Sequence, residues 1–273
     1  MQLSRVSPPL PVLAWILITC LAASLLSIAL AALAAFRIRA RWVPTLVSYA
    51  VGAMLGAVFL HLLPHLFEQA GDSGRTAALI LAGILFFFVL EKLLIWRHHH
   101  GAPGEEGDHS HGVHGHGHGT DAGRSGWMIV AGDGFHNFTD GVIIAGAFLA
   151  DVKLGVVTAA AIVAHEIPQE IGDFLVLLHS GFGKRRALAA NALSSLATFA
   201  GALLGYFALS AVGEWIPAFL AFAAASMIYV AVADLIPGLH KRVTPAESVA
   251  QVAFIGLGVG SIWAIYQVFE VAH

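Results

Sequence analysis

The sequence predicts an all-α, polytopic membrane protein with eight transmembrane helices, on three observations. Of 273 residues, 58% are hydrophobic and 11% charged, less than half of the roughly 25% charge of a soluble domain, and mean hydropathy is +0.79. Apolar runs close to the roughly 20 residues that cross a bilayer core recur eight times, at 11–36, 43–67, 76–96, 126–150, 154–178, 187–211, 215–237 and 248–269. The connections between runs are short and carry the basic residues. The chain, 1–273, therefore reads as a single transmembrane domain, and its one long polar insertion is a histidine-rich loop over 97–125.

The first run continues to Phe36, well past the roughly 7–15 apolar residues of a signal peptide, so it reads as a retained helix. The second holds HLLPHLFE, with His61, His65 and Glu68 on one helical face and Pro64 between the histidines; His61 lies deeper and His65 nearer the outer boundary. In the third, Glu91 and Lys92 sit near a helix end, where a pair or a snorkelling lysine is expected. The loop that follows holds eight of the chain's 15 histidines, His98, His99, His100, His109, His111, His114, His116 and His118, and reads as a weak zinc buffer or sensor, or as a polar linker.

The fourth run contains GDGFHNFTDG, in which Asp133, His136, Asn137 and Asp140 recur at three or four residues and so share a helical face. The fifth contains HEIPQEIGD, with His165 and Gln169 four apart, Glu166 and Glu170 four apart, and Asp173 beyond them. Four mid-span carboxylates, Asp140, Glu166, Glu170 and Asp173, would together cost roughly 10 kcal/mol if unpaired. No Lys or Arg lies at that depth in either run, so a proton, another helix or a bound cation must compensate them. Imidazole nitrogen with carboxylate and amide oxygen is the ligand mix that suits zinc and neighbouring divalent metals. Pro168, inside the fifth run, is expected to kink the helix and free the carbonyl of Ala164.

The sixth run offers Asn191, Ser194 and Ser195, either as interhelical hydrogen-bonding groups or as part of the site. The seventh resembles the second when shifted by 173 residues: Met54 falls on Met227, Leu62 on Leu235, Pro64 on Pro237, Leu66 on Leu239 and His61 on Asp234. The two run in opposite directions, so the match suggests an inverted repeat.

Alternate connections hold Arg37, Arg39, Arg41, Lys92, Arg97, Arg124, Lys184, Arg185, Arg186, Lys241 and Arg242, against Arg5, Arg75 and Lys153 on the other side. The positive-inside rule then places both termini outside and the histidine-rich loop in the cytoplasm of a multi-pass plasma (inner) membrane protein. With 14 Lys+Arg dispersed over an apolar chain, nucleic-acid binding is excluded. A lone cysteine, Cys20, excludes a disulfide framework and a cysteine-based metal cluster. No phosphate-binding loop of the G-x-x-x-x-G-K-[ST] type occurs, which argues against ATP hydrolysis by the chain.

At HNFTDG and HEIPQE the chain resembles the ZIP family of divalent-metal transporters, in the pattern of its LIV-1-type branch. The resemblance extends over essentially the whole chain and implies a 3+2+3 helix arrangement. It implies a metal centre of His136, Asn137 and Asp140 with His165, Glu166, Gln169 and Glu170, and places Met54 and His61 along the pathway. Gln169 departs from the pattern, which has His or Glu there, and an amide cannot bridge two metals as a carboxylate can. The implied function is movement of a divalent ion, zinc foremost, into the cytoplasm; the ion is substrate, no cofactor is expected, and lipid and a homodimer partner complete the expected associations. Two other readings compete. A membrane metal sensor would bind without transport. An intramembrane metalloprotease would need H-E-x-x-H, but its second histidine position is Gln169 and Pro168 breaks the turn, so no enzyme is expected.

Overall fold

The computed structural model describes residues 10–37, 43–69, 72–99, 122–240 and 244–271. These residues form eight long helices, α1 (Leu10–Arg37), α2 (Val43–Gln69), α3 (Ser73–His99), α4 (Ala122–Ala150), α5 (Val152–His179), α6 (Lys184–Ala211), α7 (Gly213–Leu239) and α8 (Pro245–Val271), and no strand. Most of the histidine-rich loop, from His100 through His118, lies outside the described residues, as do Arg39, Arg41, Lys241, Arg242 and both chain ends.

Each helix has 27–29 residues, about 40 Å at 1.5 Å per residue, so each can cross a bilayer core of about 30 Å. Six are also apolar enough to do so by composition; α4 and α5 are not. The eight expected helices are all present, and α4 and α5 are the less apolar two because their polar clusters lower their hydropathy. They reside inside the bundle instead, with α4 against α5, α6 and α7, and α5 against α1, α2 and α8.

The packing follows the 3+2+3 order. Exchanging α1 with α6, α2 with α7, α3 with α8 and α4 with α5 maps most contacts onto contacts: α4–α6 onto α5–α1, α2–α8 onto α7–α3, and α1–α4 onto α6–α5. The shift of 173 residues is also visible in the backbone. A π-helical segment interrupts α2 at Val58–Leu62 and α7 at Val230–Leu235, and the Leu63 N–H donates to the Val58 carbonyl just as the Ile236 N–H donates to that of Ala231. The cause lies one residue further on. Pro64 and Pro237 have no N–H to return to the preceding turn, and the wider π turn absorbs the lost bond. Pro168 acts differently, since α5 runs unbroken through it.

Local signals set the short connections. Asp151 caps α5, its carboxylate accepting from the Leu154 N–H at 3.0 Å, and this single residue separates α4 from α5. After α5 the chain reverses at Gly181, whose φ of +85° suits glycine, with Phe182 N–H donating to Leu177 O and Gly181 N–H to Leu178 O in a Schellman-type cap. Phe182 is thereby buried with Phe174 and Leu177, and the Arg186 guanidinium lies 4.3 Å over its ring.

Lipid removes most of the hydrophobic drive between helices, so close packing relies on small residues. A Cβ on Gly201 would stand 1.9 Å from the Phe138 carbonyl oxygen, and one on Gly141 would stand 2.0 Å from that of Thr198, so α4 and α6 meet backbone to backbone. Gly201→Ala is therefore expected to cost about 3 kcal/mol, the upper end for overpacking, read as a lowered Tm of the detergent-purified protein.

Candidate metal centre

The mid-helix clusters of α4 and α5 face each other. His136 and Asp140 stand one turn apart on α4, and His165 reaches them from α5. The Asp140 Oδ2 lies 3.4 Å from His136 Nε2 and 3.3 Å from His165 Nε2, and the two nitrogens are 3.1 Å apart. Three ligand atoms at the corners of a nearly equilateral triangle form a recognisable face. Bonds of about 2.0–2.1 Å from a tetrahedral zinc would separate its ligands by roughly 3.3–3.4 Å. Among the described residues this is the group of three or more His, Cys, Asp or Glu side chains whose ligand atoms converge so closely.

The electrostatics favour a cation there. Asp140 and His165 are buried, while the His136 side chain is 28% exposed. Neither imidazole donates a well-formed hydrogen bond to Asp140 Oδ2, and Glu166 Oε1 and Glu170 Oε2 are likewise buried without a donor. No Lys or Arg lies at the depth of these acids in α4 or α5. Leaving a buried acceptor unsatisfied costs about 1–3 kcal/mol, and more for a charged one, so the vacant oxygens describe a site that a cation would relieve. The His165 Nδ1 lies 3.4 Å from the Ala161 carbonyl. A carbonyl can only accept, so the proton belongs on Nδ1 and the Nε2 lone pair is left for a metal.

The other expected ligands are placed less simply. Asn137 is buried and its side chain is fully used: Nδ2 donates to the Asp133 carbonyl and to Asp133 Oδ1 at 3.1 and 3.0 Å, and Oδ1 accepts from Thr198 Oγ1 at 3.0 Å. Gln169 Nε2 donates to the same Asp133 Oδ1 at 3.2 Å. Glu170 Oε1 accepts from Ser195 Oγ at 2.7 Å and its carbonyl from Asn191 Nδ2, so α6 supplies donors to α5. Met54 is buried in the apolar cluster of α2, α5, α7 and α8. His61 is also apart from the triad. It stacks on Tyr266 of α8 with ring centroids 4.1 Å apart.

Two cavities lie at opposite ends of the bundle. One of about 370 Å³ reaches His136 and is bounded by Asp133, Gln169, Asp173 and Asp234, with Val47 and Ile129 from the starts of α2 and α4. It occupies the end at which α6 begins with Lys184, Arg185 and Arg186. The other, about 390 Å³, is lined by His61, His65, Glu68, Trp263 and Tyr266. The two residues superposed by the repeat, His61 and Asp234, thus border different cavities.

Sequence reasoning left Asp133 and Thr198 without roles. Asp133 stood in the right spacing, and nothing distinguished it from a ligand; Thr198 carries no signal in an apolar helix. Of the two expectations for Glu91 and Lys92, the structure gives contacts of the second kind: Glu91 accepts from the Tyr229 hydroxyl of α7, while the exposed Lys92 lies over the Phe88 ring.

Comparison with known proteins agrees with the geometry. The chain is 29% identical over 280 residues to the zinc transporter ZIP13 homolog of Drosophila melanogaster, covering 82% of this chain and 78% of the relative. It is 32% identical to the zinc transporter ZIP13 of Pongo abelii, covering 78% and 64%, and 33% identical to the human zinc transporter ZIP4, covering 72% and 38%. The family model described as ZIP Zinc transporter matches residues 10–266. With nearly the whole described bundle inside that match, the chain belongs to the ZIP zinc transporter family.

Proposed function

We propose that the chain moves a divalent metal ion, zinc foremost, across a membrane into the cytoplasm, and that the ion is held in transit by His136, Asp140 and His165. The carrying observation is the triangle of three ligand atoms with edges of 3.1–3.4 Å, which has the dimensions of one face of a tetrahedral zinc site. Gln169 borders the cavity through which the ion would leave. The relatives' names, all zinc transporters, support the choice of cargo.

The basic residues at the start of α6 support a cytoplasmic position for the cavity that reaches His136. This conformation is then the releasing one. On the opposite side His61, His65 and Glu68 form the mouth by which metal enters, and the stacked His61–Tyr266 pair separates mouth from site.

Zinc uptake by proteoliposomes containing the purified chain tests the reading. Saturable uptake above empty vesicles is expected; binding without uptake would favour a sensor. Because imidazole and carboxylate bind metal only when deprotonated, protons compete for the site. Acidifying the entry side is expected to raise the apparent KM for zinc, and a KM indifferent to pH would count against histidine ligands.

A further inference from the structure

The amides of Asn137 and Gln169 are each ambivalent toward a cation, since the oxygen attracts it and the nitrogen repels it. One group decides which end each presents. Asp133 is 7% exposed, and its Oδ1 accepts from both Asn137 Nδ2 and Gln169 Nε2. A carboxylate can only accept, so it selects the N–H end of every amide that meets it. Asn137 is then held away from the site, its nitrogen on Asp133 and its oxygen turned to the Thr198 hydroxyl of α6. Gln169 keeps its oxygen, which no side chain among the described residues engages, and it borders the same cavity as His136 one helical turn after His165.

We infer that Asp133 is the positioning residue of the metal centre: by holding the nitrogens of Asn137 and Gln169, it withdraws the first from the ion and turns the oxygen of the second toward it as a fourth ligand. The inference rests on the proposed site at His136, Asp140 and His165, and adds to it a residue that never touches the metal. An outer group that orients a ligand in this way commonly controls affinity by 10–100-fold. Asparagine at 133 would lose the discrimination, because it could offer either end of its own amide to Gln169.

The test uses the full chain in detergent, titrated with Co²⁺, whose visible absorption is intense in tetrahedral and weak in octahedral coordination. Asp133→Asn is expected to weaken binding by about 10–100-fold and to reduce the band, and Gln169→Ala to do the same. In the Gln169→Ala background Asp133→Asn should then cost nothing further, as for two residues acting through one contact. An equal loss in both backgrounds would mean that Asp133 acts by charge or by supporting the fold, and would overturn the inference. Should Asp133→Asn not fold, Gln169→Ala alone decides: wild-type affinity and spectrum would overturn it. His165→Ala separates this failure from that of the site itself. Its loss of the band with Asp133→Asn unaffected rejects only the positioning role, whereas its retention of wild-type binding rejects the site.

Discussion

Zinc uptake by the Asp140→Ala protein is expected to fall at least about a hundredfold in reconstituted vesicles, while the ion-free protein unfolds at the same temperature as wild type or higher. The first half follows from position. Asp140 Oδ2 stands between the two imidazole nitrogens at 3.3 and 3.4 Å, so its loss removes the one anionic corner of the triangle, and loss of a mere outer-sphere partner already costs 10–100-fold. The second half follows from solvation. Asp140 is buried with an oxygen that has no well-formed donor, a cost of about 1–3 kcal/mol or more in the empty protein that the two nearby imidazoles offset only in part, so truncation relieves part of a penalty that the ion otherwise offsets. Sites that sacrifice stability for function behave in this way. His165→Ala should lose uptake equally, and wild-type uptake in either variant would reject the assignment. A structural carboxylate would behave oppositely, with stability lost and the transport of the folded fraction retained.

Much of this arrangement was legible in the chain. The eight runs, the facing clusters of α4 and α5 and the 173-residue shift all follow from periodicity, and the structure carries the shift down to matched π turns ahead of Pro64 and Pro237. The prolines were visible, but a π turn was not, because proline in a helix can be absorbed by a kink, a break or a wider turn; Pro168 leaves α5 continuous. Legibility also ended within one face of α4. At about 100° per residue, positions 133, 136, 137 and 140 fall within a single arc of about 100°, so spacing gathers Asp133, His136, Asn137 and Asp140 without dividing them. The neighbours make the division. His165 draws His136 and Asp140 toward α5, while Thr198 draws Asn137 toward α6. Such choices depend on which helix packs on which side, and they lie beyond periodicity.

A covalent lock between positions 61 and 266 is expected to stop transport almost completely. In the His61→Cys/Tyr266→Cys protein, a short bifunctional thiol reagent should reduce zinc uptake to the fraction of molecules left unbridged, and a cleavable linker should restore it on reduction. The reason is the relation between the two halves. Each carries a π turn at the same register, and each borders its own cavity through the equivalent residue, His61 at one end and Asp234 at the other. The cavity on the Asp234 side reaches His136, whereas on the other side His61 stacks face to face on Tyr266. A site that opens to both sides in turn must separate that pair at some stage of its cycle, and the π turn of α2, whose hydrogen bonding is already irregular, is where the backbone can yield. The background is favourable, because the one native cysteine, Cys20, is fully buried. Cysteine at Ile129, in the cavity that reaches His136, should stay reactive after the lock, since that cavity remains open. Undiminished uptake by fully bridged protein would show that metal does not pass between His61 and Tyr266.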